Sequence, residues 1–113
     1  MIDGIGIDVV DIARFLESLE RTPSLREKLF TESERKLNSQ SLAARFAAKE
    51  ALYKALSPSH GLQWHEAEVI SAPNGKPEFL FRGEIADLVD GAHVHLTLSH
   101  DGGIASAMVV LER

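Results

Sequence analysis

The sequence contains no cysteine. This absence excludes disulfide bonds, zinc–thiolate sites, iron–sulfur clusters and thiol nucleophiles. Long apolar runs are missing too, because the longest covers residues 107–111, whereas a membrane-spanning helix needs about 20 residues. The opening stretch, MIDGIGIDVVD, lacks the basic region followed by an apolar region that is typical of a signal peptide. We therefore expect a cytoplasmic protein that does not bind membranes.

The composition predicts one globular domain over residues 1–113, since 44% of the residues are hydrophobic and 26% are charged. The net charge of −5 argues against a general affinity for nucleic acid. Charge is unevenly distributed, because residues 14–54 contain nine basic and six acidic side chains, and the rest contains three basic and eleven acidic ones. The basic segment could attract an anionic ligand or an acidic partner. The alternative is a set of solvated helix faces.

The first ten residues alternate in character, which is typical of a half-buried strand. The odd-numbered positions are apolar: Ile5, Ile7 and Val9. The even-numbered positions hold two glycines and a carboxylate: Gly4, Gly6 and Asp8. We expect the apolar parity to face the core. The glycine parity would leave room for a ligand or another backbone beside Asp8.

Helix signals follow this strand. Asp11 suits the N-cap of a helix that continues to Arg21, and a second short helix is expected after it. Thr31 with Glu34 three residues later forms a capping-box pattern that opens a third helix. The segment 41–56 predicts the longest helix, because it is rich in alanine and leucine and contains neither glycine nor proline.

The second half of the chain predicts strands joined by tight turns. The expected strands cover residues 64–71, 78–81, 93–98 and 104–111, with a short helix at 83–89. The Asn74-Gly75 pair predicts a hairpin turn, because both residues tolerate positive φ. The predicted fold class is therefore α+β, an antiparallel sheet with helices inserted after the first strand.

Glu50 and Lys54 lie four residues apart on the predicted long helix, in the order that favours an ion pair. Ala43 and Ala47 share their sector of that helix and would let another segment pack closely beside the charges. Asp8 and Glu50 with a nearby lysine would suit a magnesium–phosphate site, because magnesium prefers oxygen ligands and usually takes one or two carboxylates plus substrate phosphates. A solvated ion pair and a helix-capping Asp8 are the structural alternatives, and spacing alone does not show that the two carboxylates converge.

The histidines give weaker signals. His93 and His95 share a strand face at a spacing able to clasp a metal, but no third ligand is evident, so an exposed strand face is the preferred interpretation. His100 lies in a glycine-rich turn, where an imidazole and exposed N–H groups could meet a phosphate. A hydrolase triad in Ser99-His100-Asp101 is rejected, because consecutive residues of one turn cannot adopt the nucleophile–base–orienter geometry.

Several blocks of the sequence together resemble one family. Gly4 to Arg14, GIGIDVVDIAR, is similar to the opening motif of the holo-[acyl-carrier-protein] synthases, which are 4′-phosphopantetheinyl transferases of fatty-acid synthesis. Arg45 to Leu56, RFAAKEALYKAL, resembles their second signature, F-x-x-K-E-x-x-x-K-A. NGKP, Asn74 to Pro77, and the terminal block Leu98 to Glu112 resemble the family's later hairpin and last strand. The blocks occur in the family's order and span the whole chain.

The resemblance implies a definite reaction. Members transfer the phosphopantetheine arm of coenzyme A to a serine of apo-acyl carrier protein, release adenosine 3′,5′-bisphosphate and require Mg²⁺. Similar short-chain members are homotrimers with active sites between subunits. The attacking serine belongs to the partner, which agrees with the lack of a nucleophile here. A water held near Asp8, or Glu50 itself, is the candidate base, and the sequence does not choose between them.

The resemblance also assigns roles to individual residues. Asp8 and Glu50 match the metal ligands, and Lys54 matches the lysine near the pyrophosphate. Contacts to coenzyme A are expected from the following residues: Arg45, Lys49, Asn74, Gly75, Lys76, Pro77 and His100. Arg14 matches the basic residue that contacts the acidic helix of the carrier protein. Arg21 is expected to bind the same partner. The loop 57–61, SPSHG, departs from the glycine-rich loop of many members.

Two other functions remain as alternatives. A magnesium-dependent nucleotide or pyrophosphate hydrolase would use the same carboxylates and lysine but would need no carrier protein. A non-catalytic module that binds carrier protein or nucleotide would have kept the fold and lost the chemistry, which the presence of Asp8, Glu50 and Lys54 argues against. The sequence does not determine which carrier proteins are accepted, nor whether acylated coenzyme A is tolerated.

Overall fold

The computed structural model describes residues 1–56 and 63–113, and the predicted loop 57–61 lies outside this part. The elements are the strands and helices β1 (Ile2–Asp11), α1 (Ile12–Arg21), α2 (Ser24–Leu29), α3 (Glu32–Arg35), α4 (Ser39–Ala55), a 3-10 helix (Trp64–Glu66), β2 (Ala67–Ser71), β3 (Pro77–Phe81), α5 (Gly83–Leu88), β4 (His93–Asp101) and β5 (Ile104–Glu112). This order confirms the α+β prediction, with four helices between the first and second strands. The predicted strand at 64–71 is shorter than expected, because residues 64–66 form the 3-10 helix.

The strands form two antiparallel sheets. One is three-stranded with the order β1-β5-β4, and the other is the β2-β3 hairpin. In the larger sheet Asp8 pairs with Ala107, which pairs in turn with Leu98. The chain's first and last strands are therefore hydrogen-bonded neighbours, and β1 and β4 occupy opposite edges.

Polar side chains cap the N-termini of three helices, two of them at positions that the sequence predicts. Asp11 Oδ1 accepts a hydrogen bond from the Arg14 backbone N–H at 3.0 Å. Thr31 and Glu34 form the reciprocal capping box of α3. Asn38 caps α4 through Ser41. Each cap satisfies an N–H group that the first helical turn leaves without an intrahelical partner.

The glycine face of β1, and not its isoleucine face, packs on the core, so the sequence prediction was wrong at this point. A Cβ built on Gly4 would lie 2.1 Å from the Ala55 carbonyl oxygen, and one on Gly6 would lie 1.8 Å from that of Ala51. The backbone of α4 approaches β1 so closely that a side chain would not fit between them. Asp8 lies on the same face of β1, directed toward α4.

The opposite face of the larger sheet is apolar and exposed, and we call it the outer sheet face. Ile5, Ile7 and Val9 of β1 are 57%, 58% and 62% exposed, and Ile104 and Met108 of β5 are 37% and 40% exposed. Pairing of Ile7 with Met108 brings these side chains together across the two strands. These neighbouring side chains form an apolar patch that is exposed to solvent.

Helix α4 lies at the centre of the molecule. Ten of its 17 residues are buried, including Ala43 and Ala47, because it packs on the sheet along one side and on α1 and β2 along others. Phe15 of α1 stacks on Phe46 of α4 with ring centroids 4.9 Å apart, and Phe46 stacks on Trp64. No helix among the described residues is long and apolar enough to cross a membrane.

The predicted hairpin turn between β2 and β3 is confirmed, with one difference. Gly75 has a φ of +86° and its N–H donates to the Ala72 carbonyl oxygen at 2.7 Å. Asn74 keeps a negative φ, and its side chain accepts a hydrogen bond from the Lys76 N–H at 3.0 Å. The turn therefore needs positive φ at one position only, and Asn74 contributes by its side-chain hydrogen bond.

Candidate active site

A cleft of about 510 Å³ lies where the end of β1 meets α1 and α4. Its polar lining includes Asp8 of β1, Arg14 of α1, and Glu50 and Lys54 of α4. Phe15 and Phe46 also line it. The structure thus brings together residues that are separated by more than 40 positions in the sequence, and we call this the carboxylate cleft.

Lys54 is held by β1 and not by Glu50. Its Nζ donates to the Ile7 carbonyl oxygen at 2.9 Å and to Asp8 Oδ1 at 3.0 Å. The lysine side chain is 53% exposed and that of Asp8 is 16% exposed. Because β1 holds the ammonium at the rim of the cleft, a positive charge lies beside the carboxylates of Asp8 and Glu50.

Burial raises the pKa of Glu50, the negative charge of Asp8 raises it further, and the positive charge of Lys54 opposes them. A carboxylate whose pKa is raised by burial and by a second carboxylate lies close to that second group in partly desolvated surroundings. A proton or a cation between them would relieve that repulsion.

The donor set of the cleft fits Mg²⁺. Asp8 and Glu50 supply carboxylate oxygens, the ligands that magnesium prefers, and the cleft is open to solvent on one side. Within residues 1–56 and 63–113, no group of three histidine, cysteine or carboxylate side chains could hold a metal ion. A magnesium ion held by two carboxylates keeps its other positions for waters and phosphate oxygens, as is usual for this ion.

Lys49 does not lie in the cleft, and its predicted contact with coenzyme A is not supported by its position. The side chain is fully buried, and Nζ donates to Leu29 O, Glu34 Oε1 and Trp64 O at 2.8, 2.7 and 2.9 Å. An ammonium has three N–H donors, so all of them are used inside the protein. The sequence gave no sign of this burial, because Lys49 directly precedes Glu50 in the block Arg45 to Leu56.

Arg45 lies one helical turn before Lys49 and is partly buried. Burial lowers the pKa of its guanidinium, and the negative charge of Glu34 opposes that effect. Its Nε is buried and has no hydrogen-bond partner among the residues that the structure describes. A buried N–H without a partner is unfavourable, so this donor needs an explanation that the fold alone does not give.

The hairpin residues line a different cleft, of about 560 Å³, between β3, α5 and β4. Lys76 and Pro77 belong to its wall, together with His93 and His95. No residue is shared with the carboxylate cleft. Because the hairpin packs beside β4, the whole width of the larger sheet separates it from β1, a distance of roughly 10 Å for two strand spacings.

His100 is exposed near the end of β4. It pairs with Ala105, which pairs with Val10, so it lies on the same sheet face as Asp8. His93 and His95 lie together on an exposed face with ring centroids 4.3 Å apart, and His95 Nε2 is 2.9 Å from Glu112 Oε1. That arrangement agrees with the preferred interpretation of an exposed strand face.

Arg14 and Arg21 are both exposed on α1. Their separation of seven residues places them on one face of the helix, with Ser18 between them, and Arg14 and Ser18 line the carboxylate cleft. The side of α1 that carries the two arginines therefore borders the cleft, and exposed Glu17 lies on the same side. The cleft is also lined by Phe15, Phe46 and Ser18, whose spacing in the sequence indicates only a helix.

Comparison with known proteins agrees with this architecture. The model of the 4′-phosphopantetheinyl transferase superfamily matches residues 4–107. A holo-[acyl-carrier-protein] synthase of Leifsonia xyli is 59% identical over 116 residues, which cover 100% of this chain and 98% of that protein. The structure of the Neisseria meningitidis holo-[acyl-carrier-protein] synthase aligns with a TM-score of 0.88, 28% identity and complete coverage of both chains. The Helicobacter pylori synthase in complex with coenzyme A aligns with a TM-score of 0.83 and 33% identity, covering 96% of this chain and 99% of that one.

The chain therefore belongs to the 4′-phosphopantetheinyl transferase superfamily and, within it, to the holo-[acyl-carrier-protein] synthases.

Proposed function

We propose that this protein transfers 4′-phosphopantetheine from coenzyme A to a serine of apo-acyl carrier protein, with Mg²⁺, and releases adenosine 3′,5′-bisphosphate. The observation that carries the proposal is the convergence of Asp8, Glu50 and Lys54 in one cleft. Family membership supplies the reaction class, and the charges of the cleft suit a pyrophosphate substrate. A cytoplasmic location and a single domain over residues 1–113 stay predictions of the sequence.

The bond changes follow from the substrates. The serine oxygen attacks the phosphorus that carries the pantetheine, a new P–O bond forms, and the P–O bond of the pyrophosphate breaks so that the bisphosphate leaves. Transfer of this kind depends mainly on positioning and on neutralising charge at oxygen. The serine proton passes to Glu50 or to a water beside Asp8.

Asp8, Glu50 and Lys54 each have a task in this scheme. Asp8 and Glu50 would hold the magnesium ion, which supplies positive charge to the phosphate oxygens when it is bound. Lys54 is fixed at the rim by Asp8 and Ile7 O, so its ammonium is already oriented when negative charge develops on the leaving bisphosphate. Arg45, the hairpin 74–77 and His100 are proposed to bind the remaining phosphates and the nucleotide.

Arg14 and Arg21 are proposed to bind the acidic carrier protein. They share the exposed face of α1, and Arg14 also borders the cleft, so a carrier docked there would present its serine to the carboxylates. Opposite charge on the two contacting surfaces, the arginines here and the acidic helix of the carrier, would also increase the rate of association.

A homotrimer with active sites between subunits is part of the proposal. The outer sheet face exposes five large apolar side chains, which association with further copies of the chain would bury. Within one chain the hairpin 74–77 lies at the β4 edge of the larger sheet and the carboxylate cleft at its β1 edge. A neighbouring subunit could therefore bring its hairpin to the cleft that this chain leaves incomplete.

The experiment that tests the transfer is intact mass spectrometry of apo-acyl carrier protein incubated with this protein, coenzyme A and Mg²⁺, beside an EDTA control. We expect the mass of one phosphopantetheine to be added, and the addition to vanish with EDTA. Breakdown of coenzyme A without carrier protein would instead favour a hydrolase. Neither change with several carrier proteins would favour a binding module.

A further inference from the structure

A buried ion pair joins α3 to α4 outside the carboxylate cleft. Lys49 Nζ lies 2.7 Å from Glu34 Oε1, and the two side chains are 0% and 1% exposed. The transfer scheme uses neither residue. Glu34 was predicted only as part of a capping box, which it forms with Thr31.

The pair fastens four separate segments to the middle of α4. The Lys49 ammonium donates to the carbonyl oxygens of Leu29, at the end of α2, and Trp64, in the 3-10 helix. Glu34 Oε2 accepts the N–H of Val69, in the middle of β2, at 2.9 Å. Each of these contacts is a hydrogen bond to the backbone, so it fixes the position of a segment and not only of a side chain.

A buried pair of this kind is a poor source of stability. Removing two charges from water carries a penalty that their attraction often fails to exceed, and replacement by apolar residues of similar volume is frequently neutral or stabilising. What the pair supplies at Leu29, Trp64 and Val69 is directional bonding. Its value to the protein is therefore geometric.

The segments that the pair aligns are those that carry the proposed coenzyme A contacts. Arg45 lies on α4 one turn before Lys49, and the charge of Glu34 acts on its guanidinium. β2 leads directly into the turn that carries Asn74 to Pro77. Glu68 of β2 also binds Arg82 just beyond β3, through an ion pair of 2.9 Å, so the hairpin is braced at its base.

We propose that Glu34 and Lys49 are positioning residues for coenzyme A: they hold Arg45, and the hairpin 74–77 that the proposed trimer brings to a neighbouring subunit's cleft, in the positions that bind the nucleotide. The inference rests on the proposed function, since it concerns the coenzyme A part of the same site. It replaces the direct contact that the sequence predicted for Lys49 with an indirect role.

The test compares Glu34→Gln/Lys49→Met with the wild type and with Ile85→Val. The double variant removes both charges and keeps similar side-chain volumes, while Ile85→Val reduces packing in α5 and leaves the pair intact. Isothermal titration with coenzyme A and Mg²⁺, urea unfolding, and the KM values for both substrates are measured on each protein.

We expect the double variant to stay folded and to bind coenzyme A at least about tenfold more weakly, with an unchanged KM for carrier protein. A folded double variant whose affinity for coenzyme A lies within twofold of the wild type would overturn the proposal. Ile85→Val should be less stable yet bind coenzyme A normally. If Ile85→Val loses affinity to the same extent, the effect is one of general stability and the positioning role is rejected.

A measurement on the wild type covers the case in which the double variant does not fold. Hydrogen exchange at the Val69 amide is followed with and without coenzyme A. If binding requires the aligned hairpin, coenzyme A at 100 times its Kd should slow that exchange by up to about 100-fold. Unchanged exchange overturns the proposal. Failure of the proposed function would show separately, as a wild type that does not modify carrier protein.

Discussion

The carbonyl oxygen of Ala51 occupies the space that a side chain on Gly6 would need. A Cβ at Gly6 would lie 1.8 Å from this oxygen and 2.9 Å from the Ala55 nitrogen. Both obstacles are backbone atoms in the C-terminal part of α4, so neither can rotate away. The contact sets the separation between β1 and α4, and with it the relation of Asp8 on the strand to Glu50 on the helix.

Gly6→Ala should therefore destabilise the protein and misplace Asp8. Overpacking of this kind costs about 3 kcal/mol or more when only rigid backbone can move. A displacement of about 1 Å at the site can reduce activity by about 100-fold. Urea unfolding and transfer assays at one protein concentration measure both effects.

Gly102→Ala is the matched control for that substitution. Gly102 has a φ of +56° with open space around it, so alanine there meets backbone strain of only about 1–2 kcal/mol and no clash. If the two alanine variants lost equal stability, close packing of β1 on α4 would not be the reason for glycine at position 6.

Removal of either carboxylate should abolish transfer. Asp8→Asn and Glu50→Gln keep the side-chain shape but remove a charge that the proposed magnesium site requires. We expect kcat to fall by about 100- to 1,000-fold, the range seen when one electrostatic contact to a transition state is lost. Circular dichroism checks that the fold is retained, and near wild-type activity in either variant would refute the metal assignment.

The difference in stability between Glu50→Gln and the wild type should change with pH in a defined direction. The pKa of Glu50 is raised in the folded protein by burial and by Asp8, so its ionised form is less favourable there than in the unfolded chain. The ionised Glu50 therefore destabilises the wild type. This destabilisation has its full size above the raised pKa and disappears as pH falls below the ordinary pKa of 4.5. In EDTA, the glutamine variant should therefore be the more stable protein at pH 8 and equal to the wild type below about pH 4.5.

Exposed Glu17 supplies the control, since Glu17→Gln changes the net charge equally on the surface of α1. Thermal unfolding of the three proteins between pH 4 and pH 8 gives the comparison. Addition of Mg²⁺ should stabilise the wild type and not Glu50→Gln, because a ligand that binds only the folded state raises its stability. A wild type more stable than Glu50→Gln at pH 8 in EDTA would contradict this account.

Arg14→Ala should raise the KM for carrier protein about tenfold and leave the KM for coenzyme A unchanged. Arg14 is exposed on α1 at the border of the cleft, where a docked acidic protein would meet it. The effect should shrink as salt rises, because charges on exposed surfaces are screened. Lys36→Ala, which removes the same charge from an exposed site at the end of α3, is the control. A change confined to coenzyme A would place Arg14 in the nucleotide site.

The local elements of the fold follow from local rules. Asp11, Thr31 and Glu34 cap helices because their side-chain oxygens reach N–H groups within three residues, which is a property of the sequence alone. Gly75 turns the hairpin for an equally local reason. Short-range spacing along the chain is therefore enough to predict these elements.

The orientation of β1 could not be predicted in this way. Alternation of isoleucine with glycine normally places isoleucine inside, but here the helix backbone comes so close that the glycine face is the inner one. Burial of Lys49 is likewise a long-range effect, since its partners at Glu34 and Trp64 are 15 residues away in either direction. Both features depend on which segments pack against each other in the folded protein, and the spacing of residues along the chain does not predict that packing.

The exposed isoleucine face leads to the last prediction, which concerns assembly. Ile7 is 58% exposed and pairs with Met108 in the centre of the outer sheet face. Ile7→Glu would place a charge where the proposed trimer buries apolar surface, and an unpaired buried charge is strongly unfavourable. We expect the variant to have the 12.4 kDa mass of one chain in light scattering, where the wild type has about three times that mass. Ser33→Glu adds the same charge at an exposed position of α3 and should leave the mass of the assembly unchanged.

Because the hairpin and the carboxylate cleft lie apart within one chain, the monomeric variant should also lose transfer although every proposed site residue is intact. A monomeric wild type with full activity would show that one chain suffices, and the division of the site between subunits would then be wrong.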